Sequence, residues 1–157
     1  MKIIFWSVGK AHEPYVKEGI EIFTKRISHY YGVEWKIILS AKNASGILSI
    51  DLKKREGETI LNLLELKDIL IVLDEKGKQF TSEKLAELIQ LNANSSIKRL
   101  IFLIGGAYGL DGKVIKRANY IWSLSNLVFP HQLVRLILAE QVYRACTIIR
   151  NGKYHHS

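Results

Sequence analysis

Four of the 11 glycines of this chain lie in one short segment: Gly105, Gly106, Gly109 and Gly112. The segment follows the apolar run 100–104, and glycine lets a backbone turn sharply and approach a bound molecule closely. It is not a dinucleotide fingerprint, because Ala107 stands where the second glycine belongs. It is not a P-loop either, because Val114 follows Lys113 where Ser or Thr is required. We expect a nucleotide-like ligand here; the alternative is a glycine-rich connection without a ligand.

A second candidate segment, residues 124–130, joins an apolar strand-like run to a long apolar helix-like run. Pro130 has no N–H and suits the first turn of a helix. The Leu and Phe side chains could form walls for an adenine-like ring, with backbone amides and carbonyls beside it. The alternative is a packed connection with no ligand.

The helix-like run 131–150 is apolar in almost every direction around its axis. Such a helix is buried on more than one side, which predicts a homodimer; the alternative is coverage by the chain's own tail. Glu140, Arg144 and Thr147 share one polar stripe, where Glu140 and Arg144 could be no more than a helical ion pair. Cys146 lies among apolar residues and is predicted to be a core residue.

The last seven residues, 151–157, combine Lys153, Tyr154 and two histidines. An aromatic ring, imidazoles and a cation suit base stacking and phosphate contact, although a terminus can also be disordered. No ligand set with metal spacing accompanies these histidines, so no metal is expected. His12 and His29 have no evident partner and are predicted to lie on the surface.

Alternating elements must position these segments. Five strands are predicted, over residues 3–8, 33–39, 69–73, 100–104 and 120–124. Five helices are predicted, over residues 14–30, 50–66, about 81–92, 113–118 and 131–150. The pattern indicates an α/β fold with a mostly parallel sheet flanked by helices, in a single domain 1–157, with residues 40–49 as a polar loop. Ligands of such folds bind at the carboxyl ends of strands, here after Leu73, at Gly105 and at 124–130.

The net charge is +8 over 157 residues, and it is unevenly distributed. Residues 101–157 carry seven Lys or Arg but only Asp111 and Glu140 as acids, a net +5. That indicates a polyanionic partner; a generally basic protein is the alternative. One cysteine excludes an intramolecular disulfide and favours the cytoplasm. The apolar runs are too short to span a bilayer, so no membrane association is expected.

Six motifs occur together in this chain and carry a resemblance to a known family. They are Val8-Gly9-Lys10, Gly105-Gly106-x-x-Gly109-Leu110, Trp122-Ser123-Leu124-Ser125, Phe129-Pro130-His131-Gln132-Leu133-x-Arg135, Glu140-Gln141-x-Tyr143-Arg144-Ala145 and Tyr154-His155. With them the chain resembles, from end to end, the ribosomal large-subunit methyltransferase H family of the SPOUT class.

The resemblance implies a knotted α/β fold with a C-terminal trefoil knot, a homodimer built through the knot, and S-adenosylmethionine as cofactor. The implied reaction is methylation of N3 of a pseudouridine in 23S rRNA on assembled ribosomes. By position, the family's cofactor contacts fall on Leu73, Gly105, Leu124, Ser125, Asn126, Leu127, Val128 and Phe129.

Methylation at N3 requires loss of the N3 proton, and the candidate bases are His131, Glu140 and His155. We expect Arg135 and Arg144 to hold phosphates or base carbonyls, with Lys153 on the RNA as well. Tyr154 and His155, from this chain or its partner, would close the site. A non-catalytic nucleotide-binding RNA-binding module is the alternative function. The failed dinucleotide spacing disfavours a third possibility, a small oxidoreductase.

Overall fold

A computed structural model describes residues 1–40 and 48–155 of the chain. Most of the predicted loop 40–49, and the tail residues 156–157, lie outside the described residues. The strands are β1 (Lys2–Val8), β2 (Gly32–Ile38), β3 (Ile69–Gln79), β4 (Arg99–Ile104) and β5 (Tyr120–Ser123). The helices are α1 (Pro14–Ile27), α2 (Ser49–Leu63), α3 (Ser82–Asn94), α4 (Gly112–Arg117) and α5 (His131–Ile149).

The five strands form one sheet in the order β2-β1-β4-β3-β5, and every pairing is parallel. The prediction of an α/β fold with a mostly parallel sheet is therefore confirmed. Parallel pairing brings the carboxyl ends of β3, β4 and β5 to the same edge of the sheet. The trefoil knot implied by the resemblance stays a prediction.

Both faces of the sheet are apolar, because side chains alternate along each strand. On β1, Ile3 and Phe5 belong to the core under α1, α3 and α5. Ile4 and Trp6 belong to the core under α2 and α4. Helices that cover both faces explain why β1 and β4 are continuous apolar runs.

Helix α5 lies between α1 and α3 on one face of the sheet. Leu138, Val142 and Cys146 point into the core and are almost fully buried. The approach of α1 depends on Gly19, where an added Cβ would lie 2.7 Å from Leu136 Cδ1. Gly19 therefore allows the two helices to pack closely.

Three predicted boundaries are wrong by three residues or more. Helix α1 ends at Ile27 and not at residue 30, because the Tyr30 and Tyr31 amides turn back to the Ile27 carbonyl at 2.8 and 3.1 Å. Helix α2 ends at Leu63 and not at 66, because the Glu65 amide donates to Asp68 Oδ2 at 2.7 Å. Strand β3 continues beyond residue 73 to Gln79.

The extension of β3 contains a bulge. Leu73 and Lys78 both pair with Trp122, so residues 74–77 bulge out between them. Gly77 makes this possible, because an added Cβ there would lie 2.7 Å from backbone atoms of Ile121 and Trp122. The residues after Leu73 are polar, so the apolar pattern did not predict this part of the strand.

Candidate functional site

A cavity of about 700 Å³ lies at the carboxyl ends of β3, β4 and β5. Its lining comes from residues 73–76, 104–110 and 122–129, together with His131 and Val134 of α5. The volume is in the range of sites that bind small molecules and cofactors. The position agrees with the rule that ligands of parallel sheets bind outside the carboxyl ends of the strands.

The structure brings together all of the residues predicted to contact a cofactor. They line this one cavity: Leu73, Gly105, Leu124, Ser125, Asn126, Leu127, Val128 and Phe129. Three separate segments of sequence therefore form a single surface. Whether these residues bind a cofactor stays a prediction.

The glycine segment gives the cavity a compact turn. The Gly109 amide donates to the Gly106 carbonyl at 3.0 Å, and Gly109 has a φ of +79°, which favours glycine. A Cβ on Gly105 would lie 2.9 Å from Leu110 Cγ. Gly105 thus lets Leu110 pack beneath the turn, and the backbone stays open to the cavity.

The segment after β5 is held by its own side chains. Ser123 Oγ donates to the Ser125 carbonyl, and the Leu127 amide donates to Ser125 Oγ, both at 3.0 Å. Gln79 Nε2 donates to Asn126 Oδ1 at 2.8 Å, which ties the segment to the end of β3. Leu127 and Val128 remain 70% and 87% exposed, so they form an apolar wall without a partner among the described residues.

The bulge at 74–77 adds charge to the cavity, which sequence reasoning missed. Asp74 Oδ1 accepts from the Lys76 amide at 2.9 Å and so shapes the turn. Asp74, Glu75 and Lys76 all line the cavity. The one sequence signal for it was Gly77 within a polar stretch after a strand, a position typical of a bulge.

The predicted catalytic residues separate into two groups. His131 lines the cavity, whereas Glu140, Arg144 and Tyr154 form a second group, the tail cluster, that does not. Arg144 donates to Glu140 Oε1 through Nε at 3.0 Å and through a terminal nitrogen at 2.5 Å. At 1.5 Å per residue, Glu140 lies about 13 Å farther along α5 than His131.

The tail folds back onto the protein because α5 ends in a tight cap. The Gly152 and Asn151 amides return to the Thr147 and Ile148 carbonyls at 2.7 and 3.0 Å, with Asn151 at a φ of +52°. The Tyr154 hydroxyl then donates to Glu140 Oε1 at 3.1 Å. Asn151, Gly152 and Tyr154 are therefore held in place by specific contacts.

Several groups pack around the tail cluster. The Arg144 guanidinium lies 4.8 Å from the centre of the Tyr154 ring, and the Tyr143 ring lies 4.8 Å away on another side. Burial and the Glu140 carboxylate raise the pKa of Tyr154, so its hydroxyl stays protonated and acts as a donor. The next residue, His155, contacts Glu83 at the start of α3 at 2.7 Å.

The residues that form the cavity and the tail cluster all lie in the part of the chain that matches a known family. A family described as "Predicted SPOUT methyltransferase" matches residues 1–155. The chain belongs to the SPOUT methyltransferase family.

Curated relatives of this SPOUT methyltransferase share one name, "Ribosomal RNA large subunit methyltransferase H". The protein from Cytophaga hutchinsonii is 49% identical and covers 99% of this chain and 100% of its own length. Those from Christiangramia forsetii and Parabacteroides distasonis are 43% and 41% identical, each over 99% of both chains. The resemblance stated from the sequence motifs is thus confirmed.

Arg135 of this SPOUT methyltransferase is buried, with only 1% of its surface exposed. Its guanidinium lies 3.3 Å from His12 Nδ1 and 3.5 Å from Gln132 Oε1. The expected contact of Arg135 with RNA stays a prediction, as does that of Lys153, which is exposed.

His12 is not the unpartnered surface residue that the sequence suggested. Besides its contact with Arg135, it packs edge-on against the Trp35 ring, 4.9 Å away. Burial and the Arg135 charge lower the pKa of His12, so the ring is neutral beside the guanidinium.

Three further observations concern a thiol, a metal site and a membrane span in this SPOUT methyltransferase. Burial raises the pKa of Cys146 to about 12, so the thiol stays protonated and is no nucleophile at neutral pH. Within residues 1–40 and 48–155, no three His, Cys, Asp or Glu side chains are arranged to hold a metal ion. Over the same residues no helix is long and apolar enough to cross a membrane.

Proposed function

We propose that this chain is an S-adenosylmethionine-dependent enzyme that methylates N3 of a pseudouridine in 23S rRNA on assembled ribosomes. The observation that carries the proposal is the single cavity lined by all of the residues at which the resemblance expects cofactor contacts. The names of the relatives, which specify ribosomal RNA of the large subunit, supply the class of substrate.

The cavity suits this cofactor in both shape and charge. Leu127, Val128 and Phe129 offer apolar surface for an adenine ring, and the glycine turn offers backbone groups. Asp74 and Glu75 place carboxylates in the same cavity, where they would attract the positive charge of a sulfonium. When bound, S-adenosylmethionine supplies the methyl group on that sulfonium.

The position of the tail cluster favours a homodimer with composite sites. Glu140 and Arg144 lie about 13 and about 20 Å along α5 from His131, too far to share a substrate base in their own cavity. Tyr154 is bound to Glu140 and so lies with them. They would instead serve the cavity of a partner. Apolar side chains of α1 support such an interface, because Tyr15 and Ile22 are 62% and 43% exposed.

Among the three candidate bases, His131 is the best supported. It lines the cavity, and its side chain is exposed. Glu140 is already engaged, since Oε1 accepts from Arg144 and Tyr154 and Oε2 accepts from Gln141 at 2.7 Å. In the proposed reaction His131 takes the N3 proton, and the nitrogen then accepts the methyl group.

The remaining positive charge would hold the substrate. Arg144 and Lys153 lie in and beside the tail cluster, and the chain segment 101–157 carries a net +5. We propose that the 157 residues form one domain. The ribosome as substrate implies a cytoplasmic protein.

Methyl transfer from labelled cofactor to purified assembled ribosomes tests the proposal. Ribosomes from cells that lack the modification should be labelled at one pseudouridine, and ribosomes with uridine at that position should not. Binding of the cofactor without any transfer would contradict the proposal and favour the non-catalytic RNA-binding module.

A further inference from the structure

His155, the last described residue, contacts the start of α3 and not the cavity. Its Nε2 atom lies 2.7 Å from Glu83 Oε1. Glu83 is ionised, because its own backbone amide at the helix start, the Thr81 hydroxyl and His155 all lower the pKa of Glu83. A carboxylate only accepts hydrogen bonds, so Nε2 carries the hydrogen and donates it.

The second ring nitrogen of His155 is also closed to a substrate. Nδ1 is shielded from solvent and has no hydrogen-bond partner within residues 1–40 and 48–155. A general base needs a lone pair within reach of the proton that it removes. In this arrangement one nitrogen of His155 is occupied by Glu83 and the other is covered.

The two ends of the contact are themselves fixed. Tyr154 is bound to Glu140 of α5, and the next residue is bound to Glu83 of α3. The start of α3 is in turn tied to α5, because Ser82 Oγ donates to Gln141 Oε1 at 2.8 Å. Consecutive tail residues thus bind two helices that are already joined to each other.

We infer that Glu83 and His155 form a latch that seats the tail, and that His155 is a positioning residue and not the general base. The inference rests on the proposed function, because it assigns to the tail a place in the methylation site. By holding His155, the latch keeps Tyr154 over Arg144 and so keeps the tail cluster in one arrangement.

Four variants of the full-length protein test the latch: Glu83→Ala, His155→Ala, the double variant and His155→Gln. Each single alanine variant should lower kcat for methylation of ribosomes by about tenfold, and the double variant by no more, since both remove one contact. His155→Gln can still donate from nearly the position of Nε2 but cannot act as a base. It should keep kcat within about threefold of the wild type.

Glu87→Ala is the matched control. Glu87 lies one turn along the same helix, pairs with Lys84 at 2.7 Å and is exposed. Its loss removes the same charge from α3 without touching the tail, so kcat should not change. The ¹⁵N shifts of the His155 ring provide a readout without turnover. They should report hydrogen on Nε2 in the wild type and a mixture of tautomers in Glu83→Ala.

Three results would overturn the inference. The first is a kcat for His155→Gln as low as that for His155→Ala. The second is a double variant in which the losses of the two alanine variants add up. The third is a set of His155 ring ¹⁵N shifts that is the same in Glu83→Ala as in the wild type. A wild-type protein that does not methylate ribosomes would instead refute the proposed function, and the ring shifts would still decide whether the latch exists.

Discussion

The candidate reactive side chains of this protein differ in how accessible their reactive atoms are. His131 lines the cavity with an exposed imidazole, whereas Glu140 is engaged by three donors and Cys146 is buried as a neutral thiol. Under the proposed function, chemistry that requires an accessible lone pair therefore belongs to His131. The sequence predicted Cys146 to be a core residue, which its burial confirms. It could not rank Glu140 as a base, because only the folded structure shows which donors occupy the carboxylate.

The role of His131 can be tested by His131→Asn. This variant keeps a polar group at the cavity but removes the base, so kcat should fall by about a hundredfold or more. Affinity for S-adenosylmethionine, measured by calorimetry, should change less than about threefold, because the lining segments stay intact. His29→Asn is the control, since His29 is exposed in the turn just after α1. Equal activity of both variants would remove His131 from the mechanism.

At the scale of the elements, the strand ends of the site were predictable and their connections were not. Continuous apolar runs predicted β1, β4 and the first half of β3, and the alternation of strands with helices predicted a parallel sheet. The bulge at 74–77 was missed because it is stabilised by backbone contact with β5, which is distant in sequence. The fold of the tail was missed for a similar reason, since it depends on α3 and α5 together.

The bulge leads to a prediction about Gly77→Ala. A methyl group there would meet backbone of β5 at 2.7 Å, which cannot move aside as a side chain can. We expect a loss of about 1–3 kcal/mol in the free energy of unfolding, and weaker cofactor binding as the bulge shifts. Urea unfolding and calorimetry measure the two effects. Gly112→Ala is the control, since a Cβ there meets nothing within 4 Å; similar losses in both variants would contradict the argument.

At the scale of the whole molecule, one chain carries a cavity and a tail cluster that contributes no residue to the lining of that cavity. The sequence predicted the residues of the two regions as one set, whereas the proposed dimer assigns them to two protomers. The sequence did suggest a dimer, from a helix apolar on all sides. The sequence could not indicate whether a residue serves the cavity of its own chain or that of a partner. That assignment depends on how far along α5 the residue lies from His131.

A heterodimer tests the composite site. Leu127→Arg should block the cavity, since Leu127 is exposed in its wall, and Arg144→Ala should disable the tail cluster. Each variant alone should be inactive. The two chains, of 18.0 kDa each, can be co-expressed with different tags and purified as a pair. The pair should regain about half of the wild-type activity, because one of its two sites has an intact cavity and an intact tail cluster. An inactive pair would indicate that each chain serves its own cavity.

Helix α5 connects the cavity and the tail cluster as one continuous helix. It begins at His131 beside the cavity, carries Glu140 and Arg144 of the tail cluster, and ends in the cap that turns the tail. An inserted or deleted residue between His131 and Glu140 would rotate everything after it by about 100° and shift it by about 1.5 Å. Leu136 of this stretch packs against Gly19 of α1, where an added Cβ would lie 2.7 Å from Leu136 Cδ1, so such a rotation would also disturb the contact between the two helices. Under the proposed function, the number of residues between His131 and Glu140 is therefore as important as the identity of these two residues.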